Sequence, residues 1–402
     1  MIPSFVKSNP RLILYGFMAV AASGFGQTFF VSVLGGEIRA GFELSHTAYG
    51  SLYSSATILS ALLLLRFGGL ADKWSLSKAT LLAVACLAAG CLFIGIAPEW
   101  ISLGLGFLLI RFGGQGYMAH LGMTTAARYF PKSRGKAVAS AAAGFPFAEA
   151  ILPASAVFIM GLMGWRWAWL FGAGLLTAII LPLLLILSRN TEPPVQESWT
   201  KSEPGAKISF TRAEVLQDPG FYLILPAAVM TPFLVTAIFF HQVAIASLQD
   251  WSLQVLARAF SGYATGHLVS LLAAGLAVDR LGAQRLLPLS LAPMTVGLII
   301  LGLFKGDWVA MAYLTLVGTT QGFAATCVGA IWAERYGFTH LGAIRSMAQA
   351  IMVVATAAAP VLTGLLLDLG VSLHLLAFSM ASALLGAAML SALARVPQKP
   401  RK

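Results

Sequence analysis

Charge is what this sequence has least of. Of 402 residues, 10% are Asp, Glu, Lys or Arg and 58% are hydrophobic, and so few charges could not cover a surface in contact with water. Most of the chain must face lipid. Cysteine is scarce as well: Cys86, Cys91 and Cys327 all fall in apolar runs, with neither metal-ligand spacing nor the framework of a secreted fold. Neither a disulfide nor a metal site is expected. The six histidines are scattered, no nucleophile, base and orienting group stand at a recognisable spacing, and the glycines carry no nucleotide fingerprint. An enzyme or a resident cofactor is therefore not expected. The net charge of +11 does not point to nucleic acid, because the basic residues are dispersed among short loops rather than gathered in a patch with interleaved aromatics.

What is present is a series of apolar runs, each long enough to cross a bilayer as a helix of about 20 residues. They lie near 12–34, 48–67, 79–97, 101–127, 137–160, 168–188, 219–240, 256–278, 286–304, 309–333, 346–367 and 373–394. The fold class this implies is an all-α membrane protein of twelve transmembrane helices. The first run follows Lys7 and Arg11 as a signal peptide would, but it continues through "FFVSVL", too long for a signal core, and reads as an uncleaved first span. With both termini in the cytoplasm, the inner loops and tail receive Lys73, Lys78, Arg128, Lys132, Arg134, Arg280, Arg285, Arg335 and Arg345 among others. The outer side keeps only Arg39, Arg166, Arg258 and Lys305. That is the positive-inside asymmetry of a multi-pass protein of the cytoplasmic membrane.

Sliding the second half back by 207 residues aligns it with the first. "GGLADKWSLSK" faces "AGLAVDRLGAQR", pairing Gly68 with Gly275, Asp72 with Asp279, Lys73 with Arg280 and Lys78 with Arg285. "ARYFPKSRG" faces "ERYGFTHLG", while Tyr15 pairs with Tyr222 and Pro153 with Pro360; "QGYMA" at Gln115 meets "QGFAA" at Gln321 after a one-residue slip. The organisation expected is an N-terminal six-helix bundle over 1–188, a cytoplasmic connector over 189–218 rich in Pro, Ser and mixed charge, with a short amphipathic helix near 210–217, and a C-terminal six-helix bundle over 219–402. Two parallel repeats of this kind are the arrangement in which rocking alternately exposes a midplane site.

"GGLADKWSLSK" and its second copy "GLAVDRLGAQR" resemble the loop signature of the major facilitator superfamily, with Gly, then Asp four positions on, then basic residues. The first copy departs from that pattern at Ser75, Leu76 and Ser77. Within the superfamily, "GFGQTFFVS", "RYFPKSRGKA" and "EVLQDPGFY" are similar to the monocarboxylate and oxalate/formate branch, although His267 stands where that branch carries a basic residue in the eighth span. The resemblance implies a monomeric secondary transporter and a gating role for Asp72, Lys73, Asp279 and Arg280. Their charge pairs would form in one conformation and break in the other.

Two charges break the symmetry of the halves. Arg111, in "LLIRFGGQGYMAH", lies ten residues into the fourth span, about 15 Å deep at the helical rise, and its repeat partner is Val317 or Gly318. Ionisable residues at that depth usually face a cavity and mark a substrate or ion pathway. α-Helical spacing puts Gly114, Gln115, Met118, Gly122 and Thr125 on the face of Arg111, with His120 opposite. Glu149 is the one carboxylate deep in any span, and its partner is Thr356. Whether Arg111 and Glu149 pair is left open by the sequence, and their two readings are a purely structural tie between helices and a mechanism. In the mechanism Arg111 binds the carboxylate of a small organic acid and Glu149, released, carries a coupled proton. Gln27, Gln115, Tyr263, His267 and Gln321 are expected to complete the substrate site. The competing readings are a multidrug exporter of the same fold, which would favour acidic and aromatic groups over a midplane arginine, and a non-transporting membrane sensor or scaffold.

Overall fold

The computed structural model describes residues 9–68, 74–130, 133–189, 191, 210–337 and 340–395. All regular elements among them are helical. The first span is broken into α1 (Pro10–Ala22), a 3-10 turn (Ser23–Gly26) and α2 (Thr28–Gly41). The second is α3 (His46–Phe67) and the third α4 (Leu76–Ile96). The fourth is α5 (Trp100–Ile110), a π-helical segment (Arg111–Met118) and α6 (Ala119–Tyr129). α7 (Arg134–Ala142) and α8 (Gly144–Met163) make the fifth; α9 (Trp165–Leu175), a π turn (Leu176–Ile180) and α10 (Leu181–Leu187) make the sixth. The connector contributes α11 (Arg212–Leu216). Then follow α12 (Pro219–Phe240), α13 (Gln242–Leu248), α14 (Leu253–Leu281), α15 (Ala283–Ser290) with α16 (Ala292–Leu303), α17 (Asp307–Tyr336), α18 (Leu341–Asp368) and α19 (Leu373–Ala392).

Eleven of these spans are long and apolar enough to cross a membrane by length and composition. The twelfth is Trp100–Tyr129, where the π segment interrupts the helix with the polar, glycine-rich run "RFGGQGYM". Many large apolar side chains, among them Leu65, Phe158, Leu162, Leu276 and Met389, are exposed, as lipid contact requires.

Local sequence sets the boundaries. Ser45, Ser75, Ser252 and Ser372 cap the second, third, eighth and twelfth spans by accepting from backbone N–H groups three residues on. Ser45 and Ser252 are themselves 207 apart. In the connector helix α11, Thr211 and Glu214 form a capping box. The fifth span breaks between Ala142 and Gly144 because Pro146 cannot donate to Ala142 and its ring crowds that carbonyl.

Among the described residues, contacts divide the chain into two units, one within Met1–Val195 plus Phe239–Ala244, the other within Gln196–Ile238 and Ile245–Lys402. In the first unit, Leu12, Val20, Ala126, Phe130, Ala137 and Ala141 form a buried cluster from the first, fourth and fifth spans. In the second, α14 and α17 cross through facing small-residue pairs, Gly262/Gly266 and Gly318/Gly322, the close approach that membrane helices exploit. A Cβ on Gly318 would lie 2.0 Å from the Tyr263 carbonyl oxygen, so no larger residue fits there.

The second unit also contains a buried charge knot. Arg335, ending α17, donates through Nη2 and Nε to Asp218 Oδ2 at 2.9 and 3.2 Å. Tyr336 donates its hydroxyl to the same oxygen at 2.7 Å. The knot ties the start of α12 to the end of α17, joining "EVLQDPGFY" to "ERYGFTHLG", two stretches far apart in the chain.

Candidate functional site

The first unit brings two irregular segments face to face. In "SGFGQ", Ser23 turns its hydroxyl back to the Val20 carbonyl at 2.6 Å. Gly24 and Gly26 are poor helix formers, and Gln27 is extended with φ −87° and ψ 154°. The first span therefore unwinds at Ser23–Gln27 and restarts at Thr28. Across from it lies the π segment of the fourth span. A Cβ on Gly26 would stand 2.2 Å from the Ile110 carbonyl and 2.8 Å from the Gly114 Cα. Only two glycines allow the backbones to meet this closely.

Arg111 opens the π segment and is 3% exposed. Its Nε donates to Thr57 Oγ1 at 3.1 Å and its Nη1 to the carbonyl of Gly26 at 3.3 Å. Its guanidinium also lies over the Tyr53 ring, 4.9 Å from the centroid. Burying this ion costs several kcal/mol. Hydrogen bonds to a charged group return about 1.5–3 kcal/mol each, and a desolvated cation–π contact about 2 kcal/mol. The unwinding frees the Gly26 carbonyl, and Arg111 occupies it.

The surroundings of the guanidinium are aromatic and hydroxylic. Tyr53 pairs its hydroxyl with Thr28 Oγ1 at 2.9 Å and packs against Phe107. Phe240, in the stretch Phe239–Ala244 that belongs to this unit, lies 4.6 Å from both the Tyr49 and Tyr53 rings. Beyond it the rings of His241 and His46 are 5.5 Å apart. Because α2 begins at Thr28, its positive N-terminal end and the guanidinium meet at Gly26–Gln27, the arrangement by which discontinuous membrane helices favour anions.

Glu149 is buried in α8. Its neighbour Ala148 and Leu152 are the side chains that a Cβ on Gly24 would strike, so α8 packs against the break one residue from Glu149. Gln27 is half-buried and Gln115 exposed, and the Gln115 backbone abuts Gly26. The structure thus brings Arg111 and the backbones of Gln27 and Gln115 to the break, while Glu149 lies on the helix packed against it. The expected face changes in one respect. Gly114 and Met118 are buried with Arg111 while Gln115 turns outward, because a π turn delays the register by about one residue.

In the second unit, Tyr263 and His267 are buried with ring centroids 5.9 Å apart. Gln321, on α17, lines a cavity that neither of them borders. Asp279 and Arg280 are exposed near the end of α14, while Asp72 and Lys73 lie outside the described residues. No group of three or more His, Cys, Asp or Glu side chains is placed to hold a metal among the described residues. Sequence reasoning missed Thr57, Tyr53 and Gly26 as partners of Arg111. The signal for Thr57 and Tyr53 was the buried polar stripe Tyr49, Tyr53, Thr57 and Ser60 at helical spacing in the second span.

A twelve-span helical chain with repeated halves and a buried ionic site has the architecture of a polytopic membrane transporter. Its sequence matches the profile of the Major Facilitator Superfamily over residues 16–257 and 239–402, and the chain belongs to that family. It is 31% identical over 137 residues to "Uncharacterized MFS-type transporter YhcA" of Bacillus subtilis (strain 168). That stretch is 34% of this chain and only 24% of the relative's length. Among solved structures, the fold is similar to crystal structures of a bacterial homolog to the human lysosomal transporter Spinster, inward-facing and either unoccupied or occupied. The TM-scores are 0.67 and 0.69 at 16% and 15% identity. The alignments cover 98% and 96% of this chain and 94% and 97% of those. At such identity the likeness establishes the fold, the one in which secondary transporters work by alternating access.

Proposed function

We propose that this chain carries a small organic anion, a carboxylate, across the cytoplasmic membrane by proton-coupled alternating access. The observation that carries this reading is the setting of Arg111: a buried guanidinium whose acceptors, Thr57 Oγ1 and the Gly26 carbonyl, are neutral, beside the positive end of a half-helix. A carboxylate entering there gains a full counter-charge and loses little in competition. Gln27 and Gln115 supply amide donors at the opening. Glu149, on the helix packed against the break, carries the proton. Tyr263, His267 and Gln321 are the substrate contacts assigned to the C-terminal half, and Asp72, Lys73, Asp279 and Arg280 the gating charges. Bundles over 1–188 and 219–402, a connector over 189–218, cytoplasmic termini and a monomeric state complete the reading. An exporter of lipophilic cations is disfavoured because the guanidinium would repel its substrate.

The test is thermal unfolding of the purified protein against mono- and dicarboxylates, inorganic anions, sugars and organic cations, for wild type, Arg111→Gln and Arg111→Lys. A ligand that prefers the folded state raises the midpoint with its occupancy. A carboxylate class that stabilises the wild type and not Arg111→Gln is the expected result, with substrate-driven proton uptake in proteoliposomes lost in Glu149→Gln. Equal stabilisation of all three proteins by cations or sugars would refute the reading.

A further inference from the structure

The second unit holds a cavity of about 360 Å³ between α12, α17 and α18, within the range of small-molecule sites. Its lining is polarised. At one end are Thr231 and Gln321, whose buried Oγ1 and Oε1 atoms have no hydrogen-bond partner. At the other is Arg345, whose Nη2 donates to the Gly329 carbonyl. Between them on α17 lie Ala324, Ala325 and Val328, with Met352 of α18 also in the lining.

The two unpartnered oxygens point to a ligand. Thr57, Thr315, Thr319 and Thr326 all donate to a carbonyl of their own helix four residues back, the ordinary way for a membrane threonine to satisfy its hydroxyl. Thr231, 3% exposed, does not. A buried polar atom left unmatched costs about 1–3 kcal/mol, and here two of them belong to residues that line one cavity. Gln321 Oε1 can only accept, so its partner must donate.

Spacing gives the length. Gln321 and Gly329 lie eight residues apart on the uninterrupted helix α17, about 12 Å at the helical rise. The guanidinium of Arg345 sits at the level of Gly329, so cation and orphan oxygens are separated by roughly that distance along an apolar wall.

We propose that this cavity binds an amphipathic carboxylate: an anionic head at Arg345, a hydrocarbon body along Val328 and Met352, and a terminal hydroxyl that donates to Gln321 Oε1 and accepts from Thr231. The site lies wholly in the second unit and does not depend on the role given to Arg111; of the substrate contacts proposed above it uses Gln321 alone.

The experiment measures midpoint shifts of the purified full-length protein with ω-hydroxyoctanoate, octanoate and octanediol, in wild type, Thr231→Val, Arg345→Gln and Arg111→Gln. In the wild type ω-hydroxyoctanoate binds about tenfold tighter than either probe lacking one end, equivalent to about 1.4 kcal/mol. Thr231→Val erases its advantage over octanoate and Arg345→Gln erases its advantage over octanediol, while in Arg111→Gln the advantage over octanoate, which carries the same head group, is preserved. Equal binding of all three probes means an apolar cleft that takes any chain, and overturns the proposal. So does an advantage that survives Thr231→Val. An advantage lost only in Arg111→Gln places the ligand in the first unit; the proposal then fails while the anion reading of Arg111 stands.

Discussion

Replacing Thr57 by valine removes one acceptor from Arg111 and little else. Thr57 Oγ1 accepts from Arg111 Nε at 3.1 Å and donates to the Tyr53 carbonyl at 2.9 Å. That carbonyl lies inside α3, so losing the second bond costs little. Nε, on a side chain 3% exposed, is left without its acceptor. An unmatched buried donor costs about 1–3 kcal/mol, and polar contacts between membrane helices reach about 1.7 kcal/mol in measured cycles. The expected loss is therefore about 1–2 kcal/mol, or about 2–8 °C in Tm for a unit of this size. Thr57→Ser, which keeps the oxygen, should unfold close to wild type. In an Arg111→Gln background Thr57→Val should add almost nothing, since the cycle isolates the shared bond. The reasoning fails if Thr57→Val unfolds like wild type, or if its cost is the same with and without Arg111.

Gly318→Ala drives a Cβ to 2.0 Å from the Tyr263 carbonyl oxygen; because backbone cannot yield as a side chain does, the loss should exceed about 3 kcal/mol, read as loss of monodisperse protein on size exclusion. Asp218→Asn leaves Arg335, whose side chain is fully buried, without its counter-charge; a drop of about 3–5 kcal/mol is expected, and Asp218→Asn combined with Arg335→Gln should recover part of it in the same melt. Cys91 and Cys327 are both 0% exposed, so a membrane-impermeant maleimide should leave them unmodified in the folded protein and label both after denaturation; fast labelling of the native protein would contradict the packing described.

The spans were legible because hydropathy is a bulk property of about 20 consecutive residues, and the repeat because paired loops carry the same charges at one offset. Arg111 was legible because an isolated cation in an apolar run has no cheap explanation. Its cradle was not, since a π segment and a helix break are decided by a few glycines and by what lies across from them. One trace was available. Trp100–Tyr129 and Asp307–Tyr336 begin and end at the common offset of 207, yet Gln115 and Gln321 match at 206. The slip marks the place where one copy takes a wider turn than the other. The cavity of the second unit escaped notice because its polar ends, Thr231 on α12 and Arg345 on α18, belong to spans separated by more than a hundred positions, and neither is unusual in its own run.

The two irregular segments of the first unit repair each other. The carbonyl released by unwinding at Gly26 is answered by a donor presented by the wide turn that Arg111 opens, so each departure from α-helix supplies what the other lacks. A one-residue deletion that straightened the fourth span would strand both an acceptor and an ion in the membrane interior, and a substitution that rewound the first would do the same from the opposite side. The stretches "SGFGQ" and "RFGGQG" are therefore a single heritable unit, free to change together and costly to change apart.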